Sequence, residues 1–103
     1  MSGVPELLIL RLLSAREMYG YELVRSIRLV SNDVIILAEG VVYPVLHALE
    51  AQGLLRTRQK AVNNRSRVYY TLTARGRKRL EALKGEWERV SSGINSFMGD
   101  FYA

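Results

Sequence analysis

Apolar residues occupy nearly every side of the stretch from Val4 to Ser14, where only Glu6 and Arg11 are charged. This pattern predicts a short helix buried on most faces, with Pro5 suited to its first turn. From Tyr19 to Val30 the pattern changes. Gly20, Leu23, Val24, Ile27 and Val30 recur at three and four while Glu22, Arg25 and Arg28 fall elsewhere, predicting a second, amphipathic helix. Ser31-Asn32-Asp33 breaks it, and the β-branched run from Val34 to Leu37 predicts a brief strand. A third helix is predicted from Gly40 to Gln52, with Val42, Val45, Leu46 and Leu49 as its buried stripe and Gly53 as the residue just past its end. Pro44 then has to lie in or near the first turn, where at most one backbone bond is lost.

Beyond Gly53 the period drops to two. Arg56-Thr-Arg-Gln-Lys60 and Arg67-Val-Tyr-Tyr-Thr-Leu72 alternate on either side of a polar Asn63-Asn-Arg-Ser66 turn, which predicts a β-hairpin. Thr73 is a good N-cap for a fourth helix running to the C-terminus. Its apolar residues Leu80, Leu83, Trp87, Val90, Ile94, Phe97 and Phe101 keep an unbroken spacing of three and four. Such a helix is roughly 42 Å long, more than a domain this small can cover, so the excess seam asks for a second subunit. Leu83, Trp87, Val90, Ile94, Phe97 and Phe101 are the expected dimer interface. The fold class is mainly α with a small β-hairpin. Residues 1–73 form a winged helix-turn-helix, the expected DNA-binding domain, and residues 74–103 a long C-terminal dimerisation helix.

With 103 residues, 49% of them hydrophobic and 24% charged, the chain has the composition of one ordinary globular domain. There is no cysteine, which removes disulfides and thiolate metal sites and fits a reducing interior. The longest apolar run, around Leu7 to Leu13, is far shorter than the roughly 18 residues of a membrane span, so a cytoplasmic location is expected. A single His, no paired acids and no phosphate-binding glycine loop argue against an enzyme. No catalytic residue, metal site or cofactor is expected.

Charge is distributed unevenly. Between Ala51 and Leu80 lie nine Lys or Arg and no acid, while the rest of the chain holds six bases and all ten acids. Because this segment is an ordered hairpin, its charge can be aimed at an anionic partner. Arg56, Arg58 and Lys60 share one face of their strand; Arg67 starts the facing strand, with Arg65 at the turn. Phosphate contact and minor-groove insertion by a wing Arg or Asn are the uses for such a ridge, which brings in Asn63 and Asn64. Protection of an edge strand against aggregation is the other reading. Arg75, Arg77, Lys78 and Arg79 oppose the dipole of the fourth helix by some 0.3–1 kcal/mol each at most. A nearby phosphate backbone would explain them, and so would solvent screening.

Turning the third helix's stripe inward leaves Val41, Tyr43, Pro44 and His47 on or beside the outer face of its N-terminal half. That surface is oddly apolar for solvent. In a helix-turn-helix this end enters the major groove, where apolar groups meet thymine methyls and Tyr or His reaches a phosphate or base edge. Taken one at a time, each has a plainer reading: Tyr43 packs on the second helix, Pro44 shapes the turn and His47 is solvated.

Met18-Tyr-Gly-Tyr-Glu22, Glu39-Gly-Val-Val-Tyr-Pro-Val-Leu-His47, Leu49-Glu-Ala-Gln-Gly-Leu-Leu55 and Tyr69-Tyr-Thr-Leu-Thr-Ala-Arg-Gly76 resemble, in order, the blocks of PadR-type transcriptional regulators. The single C-terminal helix is similar to the family's shorter subgroup. Its members act as dimeric repressors, and some bind aromatic or drug-like effectors between subunits. In those members an aromatic in a place comparable to Trp87 lines the space between subunits; the other reading of Trp87 is interface packing with no ligand. The expected function is a dimeric, sequence-specific, double-stranded DNA-binding regulator with a palindromic operator, a repressor released by a small aromatic effector. Tyr21, Val41, Tyr43, Pro44, His47, Asn63, Asn64, Arg65 and Arg67 are its expected DNA-binding residues. The alternative is a winged-helix module that binds another protein. A third class, RNA binding, lacks an aromatic stacking platform or Gly-x-x-Gly loop.

Overall fold

A computed structural model describes residues 3–99. The elements follow in the order α1 (Val4–Leu13), β1 (Met18–Tyr19), α2 (Gly20–Val30), α3 (Glu39–Ala51), β2 (Leu55–Val62), β3 (Arg65–Leu72) and α4 (Ala74–Gly99). The three strands form one antiparallel sheet in the order β1-β3-β2. This is a winged helix with a long C-terminal helix. Phe101 lies outside the described residues.

The core draws on every layer: Ile9, Leu10 and Leu13 of α1, Leu23 and Ile27 of α2, Val42, Leu46 and Leu49 of α3, Leu55 and Tyr70 of the sheet, and Leu80 and Leu83 of α4. The start of α4 is therefore packed into the same core as the winged domain, and packing draws no boundary at residue 73. Val45 is only half-buried, and Val30, at the very end of α2, is exposed.

α3 ends as the pattern predicts. Gly53 has φ +76°, its N–H donates to the Glu50 carbonyl at 2.9 Å, and the Leu54 N–H donates to the Leu49 carbonyl at 2.9 Å. These are the two bonds of a Schellman cap. Pro44 is not in the first turn. It is the sixth residue of α3, so the bond lost is the one to the Gly40 carbonyl, on an exposed side of the helix.

One local expectation fails. Val34 to Leu37 is a loop, not a strand: the Ser31 hydroxyl accepts from the Ile35 N–H at 3.0 Å and donates to the Ile35 carbonyl at 3.2 Å, and among the described residues no strand pairs with it. The third strand is instead Met18–Tyr19, which pairs with Tyr70 and Tyr69 of β3 and so ties the start of α2 to the wing.

The base of the wing is fastened at Thr73. Its hydroxyl donates toward the Gly53 and Leu54 carbonyls at 2.8 and 3.0 Å and accepts from the Gly76 N–H at 3.0 Å, capping α4. A Cβ on Gly76 would collide with the Leu54 carbonyl oxygen, so only glycine lets α4 approach the start of β2 this closely.

Candidate nucleic-acid interface

The wing turn is Asn63-Asn64, with φ of 52° and 63°. Left-handed backbone at both central residues is the two-residue hairpin turn that matches strand twist, and Asn tolerates it well. That turn sets the register, pairing Lys60 with Arg67 and Val62 with Arg65. Alternation then places Arg56, Arg58, Lys60, Arg65, Arg67 and Tyr69 on one face and Leu55, Thr57, Val68, Tyr70 and Leu72 on the other. The second face covers the core at its base, where Leu55 and Tyr70 are buried. Burial there pushes the Tyr70 phenol above its ordinary value, with the Glu50 and Tyr43 charges adding to the effect.

Aromatic rings organise the charged face. Tyr19 and Tyr69 meet edge to face with centroids 5.5 Å apart; the Arg67 guanidinium carbon stands 4.5 Å over Tyr19, and Lys60 Nζ 4.7 Å over Tyr69. The ridge is not acid-free in three dimensions. Glu17, from the turn before β1, accepts from Arg58 Nε and Nη2 at 2.8 and 2.6 Å and from Lys60 Nζ at 2.8 Å. Hydrogen bonds from Arg58 and then Lys60 hold its carboxyl down at about 2, and the same contact raises Arg58. Among the described residues Arg65 and Arg67 have no such carboxylate.

Two of the four cations opening α4 also find local partners. Arg79 Nε donates to Glu6 of α1 at 2.9 Å. The Arg75 guanidinium lies against Gly53, close to the C-terminal end of α3, where a cation is favoured by that helix's dipole. Neither needs a phosphate to account for it.

Val41, Pro44 and His47 of α3 are exposed, Val41 by 42%. Tyr43 is half-buried, because its ring lies directly on Gly20 at the start of α2: a Cβ there would come within 2.5 Å of it. The packing reading of Tyr43 therefore holds, and its ring still faces His47 with centroids 6.5 Å apart. Between α3 and the wing runs an open groove of about 360 Å³, lined by Tyr19, Gly20, Tyr43, His47, Ser66, Arg67, Val68 and Tyr70. Tyr43, His47 and Arg67 of the expected set meet in it. Tyr21 is exposed on the first turn of α2, while Asn63, Asn64 and Arg65 occupy the wing tip. Glu17, Tyr19 and Tyr69 were not singled out by the sequence; the long aromatic residues flanking the charged alternation were the available signal.

The seam of α4 divides. Leu83, expected at the dimer interface, is 7% exposed and lies in this chain's own core beside Leu80. Trp87, Val90, Ile94 and Phe97 are exposed, Trp87 by 47% and Ile94 by 53%. Trp87 borders a second open cavity of about 300 Å³, whose apolar lining comes from Val4, Leu7 and Leu8 of α1, Ile35 of the loop and Leu80. Among the described residues no helix is long and apolar enough to cross a membrane.

Comparison with known proteins agrees with this architecture. The chain is 32% identical to uncharacterized protein X of Lysinibacillus sphaericus over 93% of its own length and 89% of that protein's. Its structure is similar to that of a PadR-like transcriptional regulator from Bacillus cereus, with a TM-score of 0.80, 33% identity, and 94% and 93% of the two chains covered. It is also similar to Bacillus subtilis PadR, solved in complex with operator DNA, with a TM-score of 0.72 and 25% identity over 78% of this chain and 46% of that one. The sequence profile of the PadR-like transcriptional regulators matches residues 9–82, from the middle of α1, through the helix-turn-helix and the whole wing, into the packed start of α4. With the profile and the fold pointing one way, the chain belongs to the PadR-like family of transcriptional regulators, which are not enzymes.

Proposed function

We propose that this chain binds double-stranded DNA as a homodimer, reading a palindromic operator with α3 and gripping the adjacent backbone with the wing. The observation that carries the reading is the groove between α3 and β3, where half-buried Tyr43 and exposed His47 of α3 meet Arg67 of the wing, while Val41 and Pro44 of the same helix stay exposed. Such a face suits a major groove, and cations at the wing suit phosphates. The likeness to Bacillus subtilis PadR, whose structure contains operator DNA, supports it.

The dimer is supported by α4. After Leu83 the helix runs on with Trp87, Val90 and Ile94 still at three-four spacing but exposed, an apolar stripe that a second copy would cover. The cavity beside Trp87 suits a planar aromatic effector whose binding would release DNA and relieve repression. Selection from a random duplex library tests the whole: it should enrich a palindrome with half-sites one helical turn apart or a multiple of it. Enrichment of no motif would turn the reading toward a protein partner.

A further inference from the structure

Alternation along β1 puts Met18 into the core, so Glu17 and Tyr19 project to the opposite side, over the charged face of the wing. There one carboxylate receives both donors of the Arg58 fork and the Lys60 ammonium, all within 2.8 Å. A DNA phosphate asks the same of these side chains: two parallel N–H donors and a point charge beside them. Glu17 thus occupies, for Arg58 and Lys60, the role that a phosphate would take. Arg67 is held differently, on the face of Tyr19, and Arg65 is exposed at the wing tip.

We propose that Glu17 is a built-in counter-anion that withholds Arg58 and Lys60 from DNA, so that sequence-independent attraction stays low and α3 with the wing tip decides where the protein binds. Non-specific affinity grows with the number of phosphates neutralised, whereas specificity is a ratio of two affinities. A shared electrostatic contribution cancels in that ratio, so holding it down leaves the ratio as the base contacts set it and lowers the absolute affinity for random sequence, and with it the protein lost to non-specific sites. The inference rests on the DNA-binding reading above and makes Glu17 the residue that sets how much non-specific attraction the wing exerts.

The test is the salt dependence of binding to a random-sequence duplex and to a selected operator. Wild type is compared with Glu17→Gln, with Arg58→Ala plus Lys60→Ala, and with all three changes together. Glutamine keeps the shape and removes the charge. Glu17→Gln should bind the random duplex several-fold more tightly and steepen log K against log salt by about 0.9–1.8, one to two phosphates' worth. Removing Arg58 and Lys60 should change the slope less in wild type than in Glu17→Gln. If Glu17 merely staples the sheet, Glu17→Gln will bind both DNAs more weakly with no steeper slope, and that result overturns the proposal. So does a loss of two phosphates' worth of slope on removing Arg58 and Lys60 from wild type, since both would then already be on DNA. A wild type that binds no duplex at any salt removes the DNA-binding reading itself, an outcome distinct from wild-type binding that Glu17→Gln leaves unchanged.

Discussion

Tyr43 shows how one side chain can be both packing and surface. Its ring fills the space left by the missing side chain of Gly20, and its position beside His47 keeps it on the groove. Gly20→Ala should therefore force the ring aside and destabilise the fold by about 1–3 kcal/mol, measured by urea unfolding. Tyr43→Phe keeps the packing and removes only the hydroxyl; it should leave stability nearly unchanged, and any loss of operator discrimination then belongs to that oxygen. Glu17 allows a pH test. Its carboxyl is held at about 2 in the fold, below the unfolded value, so its contribution is present above the unfolded value and is lost as pH falls toward 2. The Tm of wild type should exceed that of Glu17→Gln at pH 7, and the gap should close between about pH 4.5 and 2. A gap that persists at pH 2 would assign the difference to shape rather than charge.

At the scale of elements, the helices and the hairpin were legible because each shows a long, regular burial pattern. Ala-Gln-Gly-Leu after α3 and Asn63-Asn64 in the wing also carry their backbone geometry in their residue types. What misled was short. Ile35 and Leu37 turn inward while Val34 and Ile36 face out, so the burial does alternate, but a strand needs a neighbour and the free edge of β3 is taken by Met18–Tyr19. Two residues are too few for any period to show. The acid-free ridge was legible as charge and not as environment, since Glu17 is brought to it from 41 residues away by the β1 pairing. This limits which cations can act on DNA. Arg65→Ala with Arg67→Ala should weaken binding to all sequences and flatten the salt slope by up to about 1.8, as read by titration at several salt concentrations. An unchanged slope would mean that the wing does not touch the backbone. The base of the same element depends on Gly76: Gly76→Ala sets a Cβ against the Leu54 carbonyl and should lower stability by about 1–3 kcal/mol or more, a cost visible in the melting curve without any DNA present.

Across the whole molecule, α4 has two environments. Leu80 and Leu83 complete this chain's core, whereas the helix beyond them extends a body whose principal extents are 61 × 29 × 22 Å. The regular heptad-like spacing concealed this change of environment, because the same periodicity suits a chain's own core and a stripe that a second copy would cover equally well. Ile94→Asp should accordingly break a dimer without unfolding the chain: light scattering should give the monomer mass while circular dichroism keeps its helical signal, and a dimer that survives would move the interface elsewhere. Trp87 sits where the packed start of α4 gives way to its exposed stripe, half exposed beside a cavity walled by α1, Ile35 and Leu80. A planar aromatic ligand there would touch both the winged body and the seam, so it could bias their relative arrangement and hence the spacing of two α3 helices. For that to matter it has to bind the DNA-incompetent arrangement better, and a coupling of about 1–3 kcal/mol would lower operator affinity some 5–150-fold. Trp87 is the only tryptophan, so its fluorescence reports binding directly. Titration with phenolic acids and cationic dyes should find a compound that quenches Trp87 and releases the operator over the same concentration range. A compound that quenches Trp87 yet leaves operator affinity unchanged, or a panel in which nothing binds, would reduce Trp87 to packing between the body and the seam.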